Sequence, residues 1–433
     1  MSSYTRRGFL AASAAAAAPL ILPRGVMGRP GQPGANDKIV LGVIAQGDMA
    51  GRLMRPMTTE LNEPVAALCD VDQKRLEAGA AWVESELGVE VDCYRDYRRL
   101  LDRQDIDAVV IATPDHWHAV QTVHAAEAGK DIYVEKPLSR TIAEGRAIIN
   151  AIKRHKRVAQ VGAMGRSLPG VQQIATYIRN GELGRVHRVE CWRGANPVGD
   201  NTPDEAPPDH LDWDMYLGPA RWRSYNPEIV HYNFRYIMDL GGGQIRDLGA
   251  HLLSQVLWFL DWEKDAPLRV TATGKPPATG VFDNPVELDV TWEFTDPELT
   301  VTWTQPGERD GDGAIYHGEG ETLRVGGMTG RSPSTEDHVM DYEPPSDGVD
   351  LREPSEYGGD LPHYENWFHC IRTREEPNVP VEAGHRVASL CILGNLAYQL
   401  GRPLEYDPAA ERFIGDAAAN RLLSSPGRGP WHV

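Results

Sequence analysis

Cysteine is scarce in this chain and poorly spaced for cross-linking. Five occur in 433 residues: Cys69, Cys93, Cys191, Cys370 and Cys391. The number is odd and no two have zinc-type spacing, so neither a disulfide framework nor a thiolate metal site is expected. The thiols read instead as buried side chains. Positive charge is also short. Against 62 Asp and Glu stand 44 Lys and Arg, a formal charge of -18, which repels phosphate backbones and argues against a nucleic-acid partner. A long apolar run is missing too. Ala11 through Leu22 is Ala-rich and too short for a stable membrane span. Past that region there is no short internal repeat and no low-complexity segment.

The remaining composition is that of a soluble globular protein, with 41% hydrophobic and 24% charged residues, and is long enough for two cores. The first 36 residues are read separately. Thr5-Arg6-Arg7-Gly8-Phe9-Leu10 sets paired arginines before the Ala-rich run, and a Pro/Gly-rich stretch follows. This resembles a twin-arginine export signal, so residues 1–36 are expected to be signal and linker. The partner would be the twin-arginine machinery and the destination the periplasm. A dinucleotide would then have to be bound before export and restored within each catalytic cycle.

A nucleotide domain is expected over residues 37–163. Lys38 to Ile44 is a short β-branched run of the kind that makes a buried parallel strand. The turn Ala45-Gln46-Gly47-Asp48-Met49-Ala50 replaces the first and third glycines of G-x-G-x-x-G with alanine but keeps Gly47, where backbone approaches a pyrophosphate. The next strand, Val65 to Asp70, ends in an acid suited to ribose hydroxyls, which favours NAD over NADP. Helices over Asp72–Leu87, Ala119–Ala128 and Thr141–His155 alternate with strands at Ala108–Thr113, Ile132–Glu135 and Val158–Gly162. Such alternation implies a doubly wound parallel sheet, the Rossmann arrangement. Two of its strands end in Thr113-Pro114-Asp115-His116-Trp117-His118 and in Glu135-Lys136-Pro137. Strand ends facing one way frame the ligand crevice of such a sheet, and Lys136 is a candidate acid/base group there.

These motifs, with Gly241-Gly242-Gly243-Gln244-Ile245-Arg246-Asp247-Leu248-Gly249-Ala250-His251 and Arg428-Gly429-Pro430-Trp431, resemble the glucose–fructose oxidoreductase / inositol dehydrogenase / MocA (Gfo/Idh/MocA) family from about residue 38 onward. The resemblance implies that Lys136 lies beside the nicotinamide and the substrate hydroxyl, and that the Lys136–Pro137 bond is cis. It places Thr113, Asp115 and His118 along the cofactor crevice; with Pro114, Glu135 and Lys136, and with Gln46, Gly47, Asp48, Met49 and Asp70 from the turn and strand end read above, these are the residues expected around NAD. The glycine loop departs from the family pattern.

Residues 164–433 are expected to form an α+β domain for substrate and assembly, with a mostly antiparallel sheet; the resemblance implies that its open face is the interface of a homodimer or homotetramer. Strands are read at Arg185–Trp192, Leu268–Thr273, Leu288–Thr295 and Leu299–Gln305. A helix from Gln244 to Leu260 sets Asp247 and His251 on one face. With Lys136 they form a proton-transfer set: His251 takes the hydroxyl proton, Asp247 tunes the site and Lys136 holds the oxygen. Arg166, Trp222 and Arg235 join these three as candidate substrate contacts. The segment from Asn196 to Tyr236 is rich in aromatic and polar residues, which suits a sugar or equally the packing of a long loop. Asp115, His116, His118, Asp247 and His251 also form a conceivable metal set, but the cofactor needs most of them and no metal is expected. Residues 306–360 read as a hairpin and a long loop over the cleft. A helix at 384–400 is expected to run back against the nucleotide domain, and the tail from Asp407 to wrap the surface.

The resulting expectation is an NAD(H)-dependent oxidoreductase for a sugar or cyclic polyol, with a retained cofactor. Glycoside cleavage by transient oxidation and elimination is the alternative, and a non-catalytic sugar-binding protein is the contrasting class.

Overall fold

The computed structural model describes residues 37–433 except 263–267, 308, 310, 328–336, 354 and 356–357. The paired-arginine segment lies outside the described residues.

The first half alternates strand and helix. Its elements are β1 (Leu41–Ile44), α1 (Asp48–Thr59), β2 (Val65–Cys69), α2 (Gln73–Leu87), β3 (Asp92–Tyr94), α3 (Tyr97–Leu101), β4 (Ala108–Ile111), α4 (His118–Glu127), β5 (Asp131–Val134), α5 (Ile142–His155) and β6 (Ala159–Val161). Strands β1, β4 and β5 are buried at every position, as a sheet covered on both faces requires. The helices start where the sequence supplies caps. Asp72 accepts from the amides of Lys74 and Arg75, and Thr141 with Glu144 closes a capping box. All six strands are parallel, in the order β3-β2-β1-β4-β5-β6. The order reverses between β1 and β4, and a ligand crevice opens at that point.

The second half contains α6 (Pro169–Arg179), β7 (Val186–Trp192), α7 (Trp213–Leu217), α8 (Gln244–Asp247), α9 (Gly249–Phe259), β8 (Leu268–Lys275), β9 (Glu287–Thr295), β10 (Glu298–Gln305), β11 (Gly313–Gly318), β12 (Thr322–Gly326), α10 (Asp337–Met340), α11 (Leu361–Thr373), α12 (Val381–Leu400), β13 (Leu404–Asp407), β14 (Arg412–Phe413) and α13 (Ala417–Asn420). Its sheet runs β12-β11-β7-β10-β9-β8-β13-β14. Only β7 and β10 pair in parallel. Alternation fixes the buried face: Val290, Trp292 and Phe294 on β9 point inward with Leu299, Val301 and Trp303 on β10. Helix α12 is buried along most of its length. It contacts α5 through Arg146 and Glu382 (3.2 Å) and β9 through the indole of Trp292, which donates to the Leu390 carbonyl (3.1 Å).

Three local expectations change. The helix read from Gln244 to Leu260 is interrupted at Leu248, between α8 and α9. Leu248 keeps right-handed backbone angles, so Asp247 and His251 still face one cavity. The tail is not merely a surface wrap: Phe413 and Trp431 are buried, because each lands on an aromatic neighbour, Tyr406 and Trp117, that composition alone does not reveal. Of the loop expected over the cleft, the described stretch from 338 to 342 packs on α6, where Gln173 donates to the carbonyls of Val339 (3.0 Å) and Tyr342 (2.6 Å).

Candidate active site

A cavity of about 520 Å³ lies at the carboxyl ends of β1, β2, β4 and β5 and is lined on the other side by residues of the second half. At one end are Gly47, Asp48, Met49 and Asp70; at the other are Glu135, Lys136, Asp247 and His251. Thr113, Pro114 and Asp115 lie along it, and Arg235 comes from the second half.

Lys136 and Asp247 make a direct ion pair across the two halves. The ammonium also donates to the Asp247 carbonyl (3.2 Å), and the Lys136–Pro137 bond is cis. Arg235 reaches the same Asp247 oxygen at 3.3 Å, and its guanidinium stacks on Tyr232 (4.2 Å) and Phe234 (4.7 Å). Burial opposes charge on Asp247, but Lys136 and then Arg235 outweigh it and hold the carboxyl well below the carboxylate range. Burial likewise opposes charge on Lys136, and Asp247 and Glu135 outweigh it, so its pKa rises. The amine therefore stays an ammonium.

His251 behaves oppositely. Burial, then the Lys136 charge, pushes its imidazole down to about 3. It is neutral near pH 7. A charged donor thus stands beside a neutral acceptor, which is the division of labour that proton removal from a hydroxyl needs. Burial also raises two carboxyls along the cavity, Asp115 and Glu135, each to about 7.

The opposite end fits a dinucleotide. Gly47 precedes α1, whose first amides point toward the cavity end. A Cβ on Gly47 would meet only Arg75 Nη1, at 3.6 Å, and its φ of -78° suits any residue. The fold does not demand glycine here; a closely approaching ligand does. Asp70 accepts the amides of Gln46 (2.6 Å) and Asp72 (2.8 Å), and burial, partly offset by those bonds, raises it to about 6. Two cavity-lining residues, Glu135 and Tyr216, carry buried oxygens with no partner among the described residues. A polar ligand would satisfy such atoms.

Four expected contacts fall elsewhere. Gln46 offers its backbone to Asp70, while its side chain turns back to the Ala45 carbonyl (2.6 Å). His118 lies behind the wall, its ring nitrogens facing the carbonyls of Pro137 (2.8 Å) and Thr113 (2.9 Å). It staples the two motif-bearing strand ends together. Arg166 is buried, with its guanidinium on Ser254 (3.1 Å) and over Trp258. Trp222 is 66% exposed and outside the cavity. Neither side chain lines the cavity.

Three arginines on the cavity wall were not anticipated: Arg52, Arg75 and Arg95. Arg52 follows Asp48 by one helical turn, Arg75 sits in the first turn of α2 and Arg95 follows β3, positions from which the pattern could have located them. No group of three or more His, Cys, Asp or Glu among the described residues is arranged to hold a metal.

A family model described as an oxidoreductase family with an NAD-binding Rossmann fold (GFO_IDH_MocA) matches residues 39–163. Its C-terminal alpha/beta companion (GFO_IDH_MocA_C2) matches 189–296 and 283–433. Levoglucosan dehydrogenase of Pseudarthrobacter phenanthrenivorans is 44% identical over 91 residues, 21% of this chain and 23% of that protein. Inositol 2-dehydrogenase 1 of Saccharopolyspora erythraea is 33% identical over 167 residues, 38% of this chain and 48% of its own. The chain thus spans less than half the length of these curated relatives. The structure of the WlbA dehydrogenase from Bordetella pertussis, in complex with NADH and UDP-GlcNAcA, superposes with a TM-score of 0.62 at 18% identity, covering 84% of this chain and 98% of that one. At that identity the likeness is one of fold.

Proposed function

The chain belongs to the Gfo/Idh/MocA oxidoreductase family, and on that premise we propose that it oxidises a hydroxyl of a sugar or cyclic polyol. NAD, when bound, supplies the hydride acceptor. The chain supplies the rest. Lys136, kept charged by Asp247, donates to the substrate oxygen. Neutral His251 takes the hydroxyl proton. Asp247 fixes Lys136 and Arg235 so that both face the reacting carbon. The observation that carries this reading is the Lys136–Asp247 pair, made by residues from both halves beside His251 at one end of the cavity. The named substrates of the inositol and levoglucosan enzymes support a polyol or sugar.

We extend the proposal to the whole protein. The paired arginines mark it for folded export to the periplasm with its cofactor loaded, so reoxidation falls within the same active site. The open sheet face serves assembly into dimers or tetramers. The catalytic roles are tested by following nicotinamide absorbance with a panel of inositols and hexoses. Turnover should fall about 10²–10⁴-fold in Lys136→Ala and in His251→Asn. Unchanged turnover in Lys136→Ala overturns the role assignment. Aryl glycosides in the same panel distinguish cleavage, which releases aglycone without an added acceptor.

A further inference from the structure

The C-terminal segment is built into the back of the cavity wall. Trp431 is buried, its ring 4.8 Å from Trp117 in a T-shaped contact and 6.2 Å from Tyr97, with the Arg98 guanidinium 4.9 Å away. Trp117 and Tyr97 line the cavity, whereas Trp431 stands behind them. Three residues earlier, Arg428 binds the Asp214 carboxylate, the Asp214 carbonyl (2.6 Å) and the Gly218 carbonyl (3.0 Å). Asp214 and Gly218 bracket Met215 and Tyr216, which line the cavity from the second half. The Trp117 indole donates to both of their carbonyls, at 3.1 and 3.0 Å.

The same loop is fastened a second time, to the nucleotide half. The Gln73 amide donates to the His210 carbonyl (2.8 Å), and the Asp212 amide to that of Val71 (3.1 Å). Nε2 of His231 lies 3.0 Å from the Asp72 carboxylate. Val71 and His231 both line the cavity, beside Asp70.

We infer that residues 210–232 and the tail 428–431 form a clamp that retains the dinucleotide, with Arg428 and Trp431 as positioning residues that hold it shut. The inference rests on the redox reading above and adds the means by which the cofactor is kept. Trp117, Met215 and Tyr216 line the cavity that also holds Asp70 and Lys136, and the tail packs on Trp117 and fastens the turn that carries Met215 and Tyr216. A wall pinned at two separate points opens less often than a loop free at one end, and release slows in proportion.

The test is the rate at which NADH leaves the full-length protein on mixing with excess NAD, read by its fluorescence. Wild type is compared with Trp431→Ala, Trp431→Phe and Arg428→Ala, and the melting temperature of each cofactor-free protein is measured alongside. Release should quicken about tenfold in Trp431→Ala, the scale of one lost T-shaped aromatic pair. It should quicken also in Arg428→Ala and return close to wild type in Trp431→Phe, with association little changed. Release at the wild-type rate in both alanine variants, whatever their melting temperatures, overturns the clamp and leaves the redox reading standing. A wild type that takes up no NADH overturns both. If Trp431→Ala does not fold, Arg428→Ala decides alone, since its partner Asp214 is 77% exposed and the pair is not a core contact.

Discussion

His251 shows how a residue's surroundings choose its chemistry. An imidazole on a solvated helix titrates near 6.5; here burial and the Lys136 ammonium push it down to about 3. The acid limb of kcat/KM should therefore fall well below pH 6.5, and a midpoint at or above that value would assign the limb to another group. Gly47 makes the complementary point. Its backbone suits any residue and the space beside it is open. Gly47→Val should leave the melting temperature almost unchanged while weakening NAD binding about tenfold or more, measured by titration; a large loss of stability with intact binding would make the glycine structural. The sequence made both residues visible, because a motif glycine after a strand and an Asp/His spacing on a helix are local signals. Lys136 and Asp247 were each legible, but their direct pairing was not, since nothing local says that two strand and helix ends far apart in the chain will touch. Trp222 and Arg166 lie off the cavity for the same reason: composition gives a side chain's chemistry and not its direction.

At the scale of elements, the glycine run before α8 decides where Asp247 sits. A Cβ on Gly241 would lie 2.5 Å from Arg235 Cα and 2.9 Å from its carbonyl oxygen, and the Gly243 amide donates to that same carbonyl (2.7 Å). The two backbones are in contact, and this contact brings Arg235 to Asp247. Gly241→Ala must push the segments apart. It should cost about 1–3 kcal/mol of stability and lower turnover, read by denaturant melts and steady-state rates; a variant with native stability and native rate would refute the contact's role. The elements of the parallel sheet were legible almost residue by residue, because buried β-branched runs alternate with capped helices. The break at Leu248 was not, since Ile245, Leu248, Leu252 and Val256 keep helical spacing straight across it. The burial of the tail is not legible, because Trp431 is a lone aromatic in polar sequence and its partners Trp117 and Tyr97 belong to the other half.

For the whole molecule, burial of ionisable groups around the cavity sets opposing pH dependences. His116 and His363 are pushed to about 3 and His118 to about 4, like His251, all by burial. Unfolded histidine binds a proton that these folded ones refuse, so their contribution to stability is complete above pH 6.5 and is lost as pH falls toward 4. Asp115 and Glu135 are raised to about 7, again by burial. Folded, they keep a proton that the unfolded chain releases, so their contribution is complete below pH 4 and is lost as pH rises to 7. The two sets oppose each other between about pH 4 and 6.5. Replacing both carboxyls, Asp115→Asn with Glu135→Gln, should leave only Asp70, raised to about 6, acting against the histidines, and the melting temperature should then drop more between pH 7 and pH 4.5 than in the wild type. An equal drop in both proteins would contradict this balance.

The convergence of both halves on one redox site is tested most directly by isotope transfer. Purified protein with NAD bound is incubated with a pool of inositols and hexoses deuterated on carbon, and the nicotinamide is examined by mass spectrometry. The label should reach the nicotinamide ring in the wild type and be reduced about 10²–10⁴-fold in rate in Lys136→Ala and in His251→Asn. Transfer at the wild-type rate in Lys136→Ala, or no label on a cofactor that the wild type demonstrably holds, would contradict the account.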